Sequence, residues 1–172
     1  MTDTFFITSN SFKDGEIIKN IYACPENRQP HFAWKGYPET TKCFVIIMDD
    51  ADAIPVVGHV FVHWNLFNIP TTTTSIKEGQ KSVENSTFGM NHFKRKDYSG
   101  PCPPKGPPHT YNTRIYALSR RLDDIDTETP WTRMKFESLF KSDILNVAEI
   151  TGIYSSPQLF NNRNHILSRD QT

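Results

Sequence analysis

Three short stretches of the chain hold nearly all the side chains able to do chemistry. Asp49-Asp50-Ala51-Asp52-Ala53 closes one apolar run, and His63-Trp64 lies inside a second. Tyr98-Ser99-Gly100-Pro101-Cys102-Pro103-Pro104-Lys105-Gly106-Pro107-Pro108-His109-Thr110-Tyr111 leads into a third. Asp50 and Asp52 are two apart, so on a continuing strand they share a face, as do His109 and Tyr111 at a strand start. Glycine lets backbone approach a ligand closely, and proline fixes a loop in advance. Gly100 and Pro101 thus open a preformed binding loop with a low ordering cost. Imidazolium and phenol donate hydrogen bonds to an anion, and nearby carboxylates favour the protonated imidazole. The same carboxylates repel a dianion. The set Asp50, Asp52, His63, Gly100, Pro101, His109 and Tyr111 therefore suits a monoanionic phosphate ester, or a zwitterion whose ammonium faces an aspartate. No Walker-type loop for polyphosphate is present.

Plainer roles compete at each place. An aspartate run is a common turn, a mid-strand histidine is often a satisfied core residue, and a proline run can bind a partner in the polyproline conformation. Such ligands usually sit on disordered tails, however, and this run lies between strands. No metal-site spacing of Cys and His occurs, and no cofactor is implied. A hydrolase using an Asp–His pair is the alternative to a binding protein, but its nucleophile is weak. Ser99 lacks the GxSxG elbow, and Cys102 has only Lys105 as a basic neighbour.

The elements that position these residues read as mostly β. Phe44-Val45-Ile46-Ile47-Met48 is apolar on both faces, so it belongs at the centre of a sheet. Val60–Ile69 is the next strand. Simple parity puts Val60, Val62, Trp64 and Leu66 on one face, with Phe61, His63, Asn65 and Phe67 on the other. Tyr111–Leu118 is a third strand. Residues 71–97 form a long polar excursion, of the kind that is usually functional or mobile. From Thr132, an N-cap, the apolar residues Met134, Leu139, Phe140, Ile144, Val147 and Ala148 suggest one or two short helices, stopped at Gly152. Residues 156–172 read as a weakly held tail.

Composition excludes several classes. A chain of 172 residues fits one domain spanning 1–172, and 19 basic residues balance 19 acidic ones. Neutrality argues against nucleic acid and against a charge-held membrane protein. No apolar run is long enough to span a bilayer, and no signal peptide is visible. Three scattered cysteines imply a reducing compartment, no disulfide framework, and a cytoplasmic location.

Six motifs in order carry a resemblance: Pro30-His31-Phe32-Ala33-Trp34, Asp50-Ala51-Asp52-Ala53, His63-Trp64, Asn68-Ile69-Pro70, Gly100-Pro101-Cys102-Pro103-Pro104 and His109-Thr110-Tyr111. The sequence resembles the phosphatidylethanolamine-binding protein (PEBP) family, in its prokaryotic Raf-kinase-inhibitor-like (YbhB/YbcL) branch, from about Phe6 to Tyr154. The resemblance implies an all-β-dominated fold: a β-sandwich with a large central antiparallel sheet and a few peripheral short helices. It also implies a pocket for phosphate-like anions and phosphorylethanolamine. The family's paired aspartates fall on Asp50 and Asp52, its pocket histidine on His63, its Gly-Pro loop on Gly100 and Pro101, and its closing His and Tyr on His109 and Tyr111. Eukaryotic members inhibit kinases or proteases, so a protein partner of that kind is an expectation here. The chain departs from the family pattern where Ala51 and Ile54 replace prolines and Thr110 replaces an arginine.

Overall fold

The structure, a computed structural model, describes residues 4–157. The apolar run forms the middle of β4 (Cys43–Asp50), which is buried along its whole length. β5 (Phe61–Pro70) and β8 (His109–Leu118) pair with it on either side, both antiparallel. β9 (Ile144–Tyr154) and β2 (Glu16–Ile17) extend the sheet beyond β8, and β7 (Thr87–Gly89) extends it beyond β5. The order is β2-β9-β8-β4-β5-β7, and only β2 runs parallel to its neighbour. A second sheet has the order β1-β3-β6, from β1 (Phe6–Thr8), β3 (Phe32–Lys35) and β6 (Ser75–Ile76). Two short helices, α1 (Ile54–Val57) and α2 (Arg133–Leu139), complete a mostly β structure.

Alternation along β4 explains the layering. Phe44, Ile46 and Met48 join Trp64, Leu66 and Ile115 in a core closed by Ile7, Phe32 and Trp34 of the small sheet. Val45 and Ile47 face the opposite way, into a second core with Tyr116, Trp131 and Phe136 of α2. A strand with both faces covered must be apolar throughout, which is why this one reads without alternation. Thr132 caps α2 as its sequence suggests, accepting the Lys135 N–H at 3.2 Å.

The structure corrects the sequence reading at several places. Residues 144–154 form strand β9 instead of a second helix, held by a near-continuous ladder to β8 from Leu118↔Ile144 to His109↔Tyr154. Ladder pairing and burial of Ala148, Ile150 and Tyr154 at a period of two outweigh the helical spacing of Ile144, Val147 and Ala148. Gly152 lies inside this strand and stops no helix. A Cβ there would come 2.5 Å from Ile18 Cγ1, so glycine lets β9 close on Ile18.

The expectation of no disulfide also fails. Cys24 and Cys102 form a disulfide across 78 residues of sequence, leaving Cys43 free and buried. Nothing in the spacing signalled it, because the fold alone brings the two Cα atoms to 5.4 Å. The excursion over 71–97 contains β6 and β7 and is no plain loop. Of the expected tail, Ser156 hydrogen-bonds through its hydroxyl to the Pro103 carbonyl, and residues 158–172 lie outside the described residues. No helix among the described residues is long and apolar enough to cross a membrane.

Candidate functional site

The ends of β4 and β8 and the start of β5 meet at one edge of the large sheet. The register pairs Asp50 with Tyr111 on one side and with Phe61 on the other. Between β4 and β5 it steps from Met48↔Trp64 to Asp49↔Val62, which leaves His63 as the extra residue of a β-bulge. A bulge breaks the two-residue alternation and re-aims a side chain. Trp64 therefore enters the core beside Met48 while His63 turns toward Asp50, Phe61 and Tyr111. This overturns the simple parity of the strand. Asn65 and Phe67 lie on the far face, where Asn65 holds Trp131 through paired bonds of 2.9 and 2.7 Å.

These elements enclose a cavity of about 110 Å³. Asp50, His63, His109 and Tyr111 line it together, with Phe61 and Phe93 as apolar walls. Pro103, Pro104 and Cys102 form its loop side, and Val56 and Val57 of α1 stand at its edge. His109 Nδ1 donates to Asp50 Oδ2 at 2.7 Å, and the Asp52 backbone N–H and the Tyr111 hydroxyl also stand against this carboxylate, whose Oδ1 is buried with no well-aligned partner among the described residues. Burial raises the Asp50 carboxyl above the ordinary aspartate range, and the His109 bond opposes that shift. Burial, together with the Asp50 charge, raises the Tyr111 phenol as well.

His63 departs most from expectation. Its Nδ1 faces two carbonyl oxygens, Ser99 at 2.8 Å and Gly100 at 3.1 Å, and these can only accept. Nδ1 therefore carries a proton and Nε2 is the uncommitted nitrogen. Full burial lowers its pKa to about 4, despite those two carbonyls. His63 is thus neutral at pH 7, with Nε2 an acceptor, whereas carboxylates alone led to the expectation of an imidazolium.

Three residues of the expected set stand elsewhere. Asp52 is exposed in a 3-10 turn at Ala51–Ala53, because the strand ends at Asp50 and the two carboxylates do not share a face. Its Oδ2 accepts the Thr110 backbone N–H at 2.7 Å, which tethers the start of β8 next to His109. Gly100 approaches protein backbone and no ligand: a Cβ there would lie 1.9 Å from the Tyr22 carbonyl oxygen. Pro101 is buried behind it, its carbonyl accepting the Cys24 N–H at 2.9 Å. Gly100 and Pro101 support the cavity indirectly, through the carbonyl that orients His63 and the loop that carries Cys102 and Pro103.

Neither candidate nucleophile is placed for catalysis with His63. Cys102 is in the disulfide, and Ser99 Oγ accepts from Asn91 Nδ2 at 3.0 Å on the side of another cavity. Phe61, Phe93 and the α1 valines were missed from sequence. Phe61 could have been found from its i, i+2 relation to His63. Behind the site, Asp49 is paired with Arg133 through its backbone N–H at 2.8 Å and Nε at 2.6 Å, a buried anchor that composition does not reveal.

Residues 8–155 match the family model described as phosphatidylethanolamine-binding protein. The chain belongs to the phosphatidylethanolamine-binding protein family. Within that family it is 37% identical over 153 residues to the UPF0098 protein of Aquifex aeolicus, covering 86% of each chain. It is 31% identical over 163 residues to YbcL of Escherichia coli, covering 87% of each. The solved crystal structure of Escherichia coli YbcL, described as a new member of the mammalian PEBP family, superimposes with a TM-score of 0.76 at 30% identity. That match covers 89% of this chain and 99% of the other. In this member of the family the replaced positions fall at the site's outer edge: Ala51 and Ile54 are exposed on the turn and α1, and Thr110 is half-buried beside Asp52.

Proposed function

We propose that the protein is a non-enzymatic binding protein whose small cavity takes a phosphate-type ligand of the phosphorylethanolamine kind. The observation that carries this is the convergence of Asp50, His63, His109 and Tyr111 on one cavity of about 110 Å³, too small for a drug-sized molecule but suited to a head group. A ligand donor to the Asp50 carboxylate makes a bond to a charged group, worth about 1.5–3 kcal/mol. Neutral His63 adds a second acceptor, so the ligand must bring protons. A phosphate monoester monoanion brings a P–OH, and phosphorylethanolamine adds an ammonium for Asp50.

The disulfide and the placement of Ser99 support binding over hydrolysis by leaving the Asp50–His109 pair without a nucleophile. A protein partner such as a kinase or protease is supported by family membership alone. The Cys24–Cys102 bond favours an oxidising compartment over the cytosol.

Calorimetric titration with phosphorylethanolamine, inorganic phosphate and ethanolamine, from about pH 5 to about pH 8, tests the proposal. The bound state carries one proton more than free protein plus phosphate dianion, on either the ligand or His63. Affinity therefore falls as pH rises above about 6, where a phosphate monoester loses its second proton. Absence of binding at millimolar ligand would reject the proposal. So would His63-dependent turnover of a phosphatase or esterase substrate.

A further inference from the structure

One backbone amide of β5 is held by a side chain that titrates. Val62, which pairs with Asp49 beside the bulge at His63, donates its N–H to His92 Nδ1 at 2.7 Å. The His92 N–H returns a bond to the Val62 carbonyl at 3.0 Å. A backbone N–H can only donate, so Nδ1 is bare and the ring proton of neutral His92 sits on Nε2. Protonation places an N–H at Nδ1, facing the Val62 N–H, and the bond between them is lost.

The ring lies between β5 and the aromatic wall of the anion cavity. Its centroid is 5.2 Å from that of Phe61, and Phe61 is 4.8 Å from Phe93, the residue after His92. Phe61 and Phe93 both line the cavity, and Phe93 is 41% exposed. The rest of the segment from Asn91 to Asp97 is fastened by a group that does not titrate. Buried Asn91 donates to the His63 and Asp97 carbonyls at 3.2 and 2.9 Å, and accepts the Phe93 and Arg95 N–H groups at 2.9 and 3.1 Å. Loss of the Val62 bond is therefore felt at His92 and Phe93 while the base of the segment holds.

The charged groups nearby do not offset an imidazolium. His59, ahead of β5, lies 4.5 Å from His92, ring to ring, and His63 lies beyond Phe61. Lys94, Arg95 and Lys96 follow in the same segment. The acids are taken up elsewhere: Asp97 by Arg95, Glu128 by Lys96, Asp49 by Arg133 and Asp50 by His109. Partial burial, and then the His59 charge, hold the His92 pKa below the usual 6.5.

We propose that His92 is an acid-sensitive latch on the aromatic wall of the anion cavity. Neutral, it ties the 91–97 segment to β5 and seats Phe93 against Phe61. Protonated, it releases Val62 and lets Phe93 swing away. The latch stands on its own geometry, whereas a weakening of ligand binding on release rests on the function proposed above. That weakening is limited to the worth of one neutral hydrogen bond, about five-fold in affinity.

NMR of the full chain without ligand, from about pH 7.5 to about pH 4.5, tests the latch. The Val62 amide proton and the Phe93 ring resonances move together, with one midpoint below 6.5. His92→Asn puts a non-titrating amide oxygen in the place of Nδ1, and both movements vanish. His59→Gln keeps them and moves the midpoint upward, because a neighbouring positive charge is gone. A Val62 amide that does not titrate in the wild type overturns the proposal, as does a titration that survives in His92→Asn. At about pH 5, phosphorylethanolamine binds His92→Asn about five-fold more tightly than the wild type, and equal affinities overturn the gating of the cavity. Failure of both proteins to bind it rejects the anion reading alone, since the resonances are followed without ligand.

Discussion

His109, the first residue of β8, donates through Nδ1 to Asp50, the last residue of β4, across 2.7 Å, and both are buried. The bond uses one carboxylate oxygen, and Asp50 lines the cavity together with His109. One residue thus closes the sheet edge and presents a carboxylate to the cavity.

Asp50→Asn keeps the shape and removes the charge. A hydrogen bond to a charged group is worth about 1.5–3 kcal/mol, so phosphorylethanolamine affinity falls at least about ten-fold. Inorganic phosphate, which has no ammonium, keeps or gains affinity once the repelling carboxylate is gone. Calorimetry with both ligands measures the contrast, and equal losses for the two would show that the ammonium does not sit at Asp50.

His63 makes stability depend on pH. Its folded pKa of about 4 lies below the unfolded 6.5, so the unfolded chain binds more protons between those values. Stability therefore rises with pH from about 4 to 6.5 and then levels off, an effect of about 3 kcal/mol. Asp49 and Asp50, both raised from 3.8 by burial, act with opposite sign as pH rises above that value. Comparing urea midpoints of wild type and His63→Gln across this window isolates the histidine, and the variant shows the shallower rise.

Reducing the Cys24–Cys102 bond releases a constraint across 78 residues of sequence. The chain-entropy account puts the loss at roughly 4–5 kcal/mol, or about 10–20 °C in Tm for a domain of this size. Calorimetric scans with and without dithiothreitol give the shift. An unchanged Tm would show that the bonds from Cys24 to Pro101 and from Gly100 to Asn27 hold the loop by themselves.

Gly100→Ala places a Cβ against the Tyr22 carbonyl, which cannot rotate away as a side chain can. A cost of about 2 kcal/mol or more follows from such overpacking. It is measured as a lower urea midpoint with an unchanged slope.

Arg133→Met leaves the Asp49 carboxylate buried without its cation. Removing one partner of a buried pair costs about 3–5 kcal/mol, well above the loss of an exposed ion pair. Guanidinium unfolding of this variant and of Arg28→Met, whose partner Glu78 is exposed, gives the comparison.

Local signals made part of the protein legible. The uninterrupted apolar run of β4 announced a strand buried on both faces, and Thr132 announced the start of α2, because capping is a matter of adjacent residues. Six motifs in order pointed to the family and its fold. The grouping of Asp50, His63, His109 and Tyr111 around one cavity could also be anticipated from those motifs.

Register, long-range closure and burial were not legible. The bulge at His63 depends on how β5 pairs with β4, and one inserted residue reverses the facing of everything before it. The strand over 144–154 had a readable period of two at Ala148, Ile150, Gly152 and Tyr154, but it competed with a helical spacing that only β8 could overrule. The disulfide depended on a Cα separation set by the whole fold.

By itself, then, the sequence determined the family, the mostly β architecture and which side chains are available to a ligand, since these follow from local pattern and residue type. The tertiary structure decided their chemical state. It buried Asp50 against His109 and moved Asp52 out to a backbone tether. It also buried His63 against two carbonyls and so kept the imidazole neutral. Burial and hydrogen bonding set protonation, and neither exists until distant strands meet.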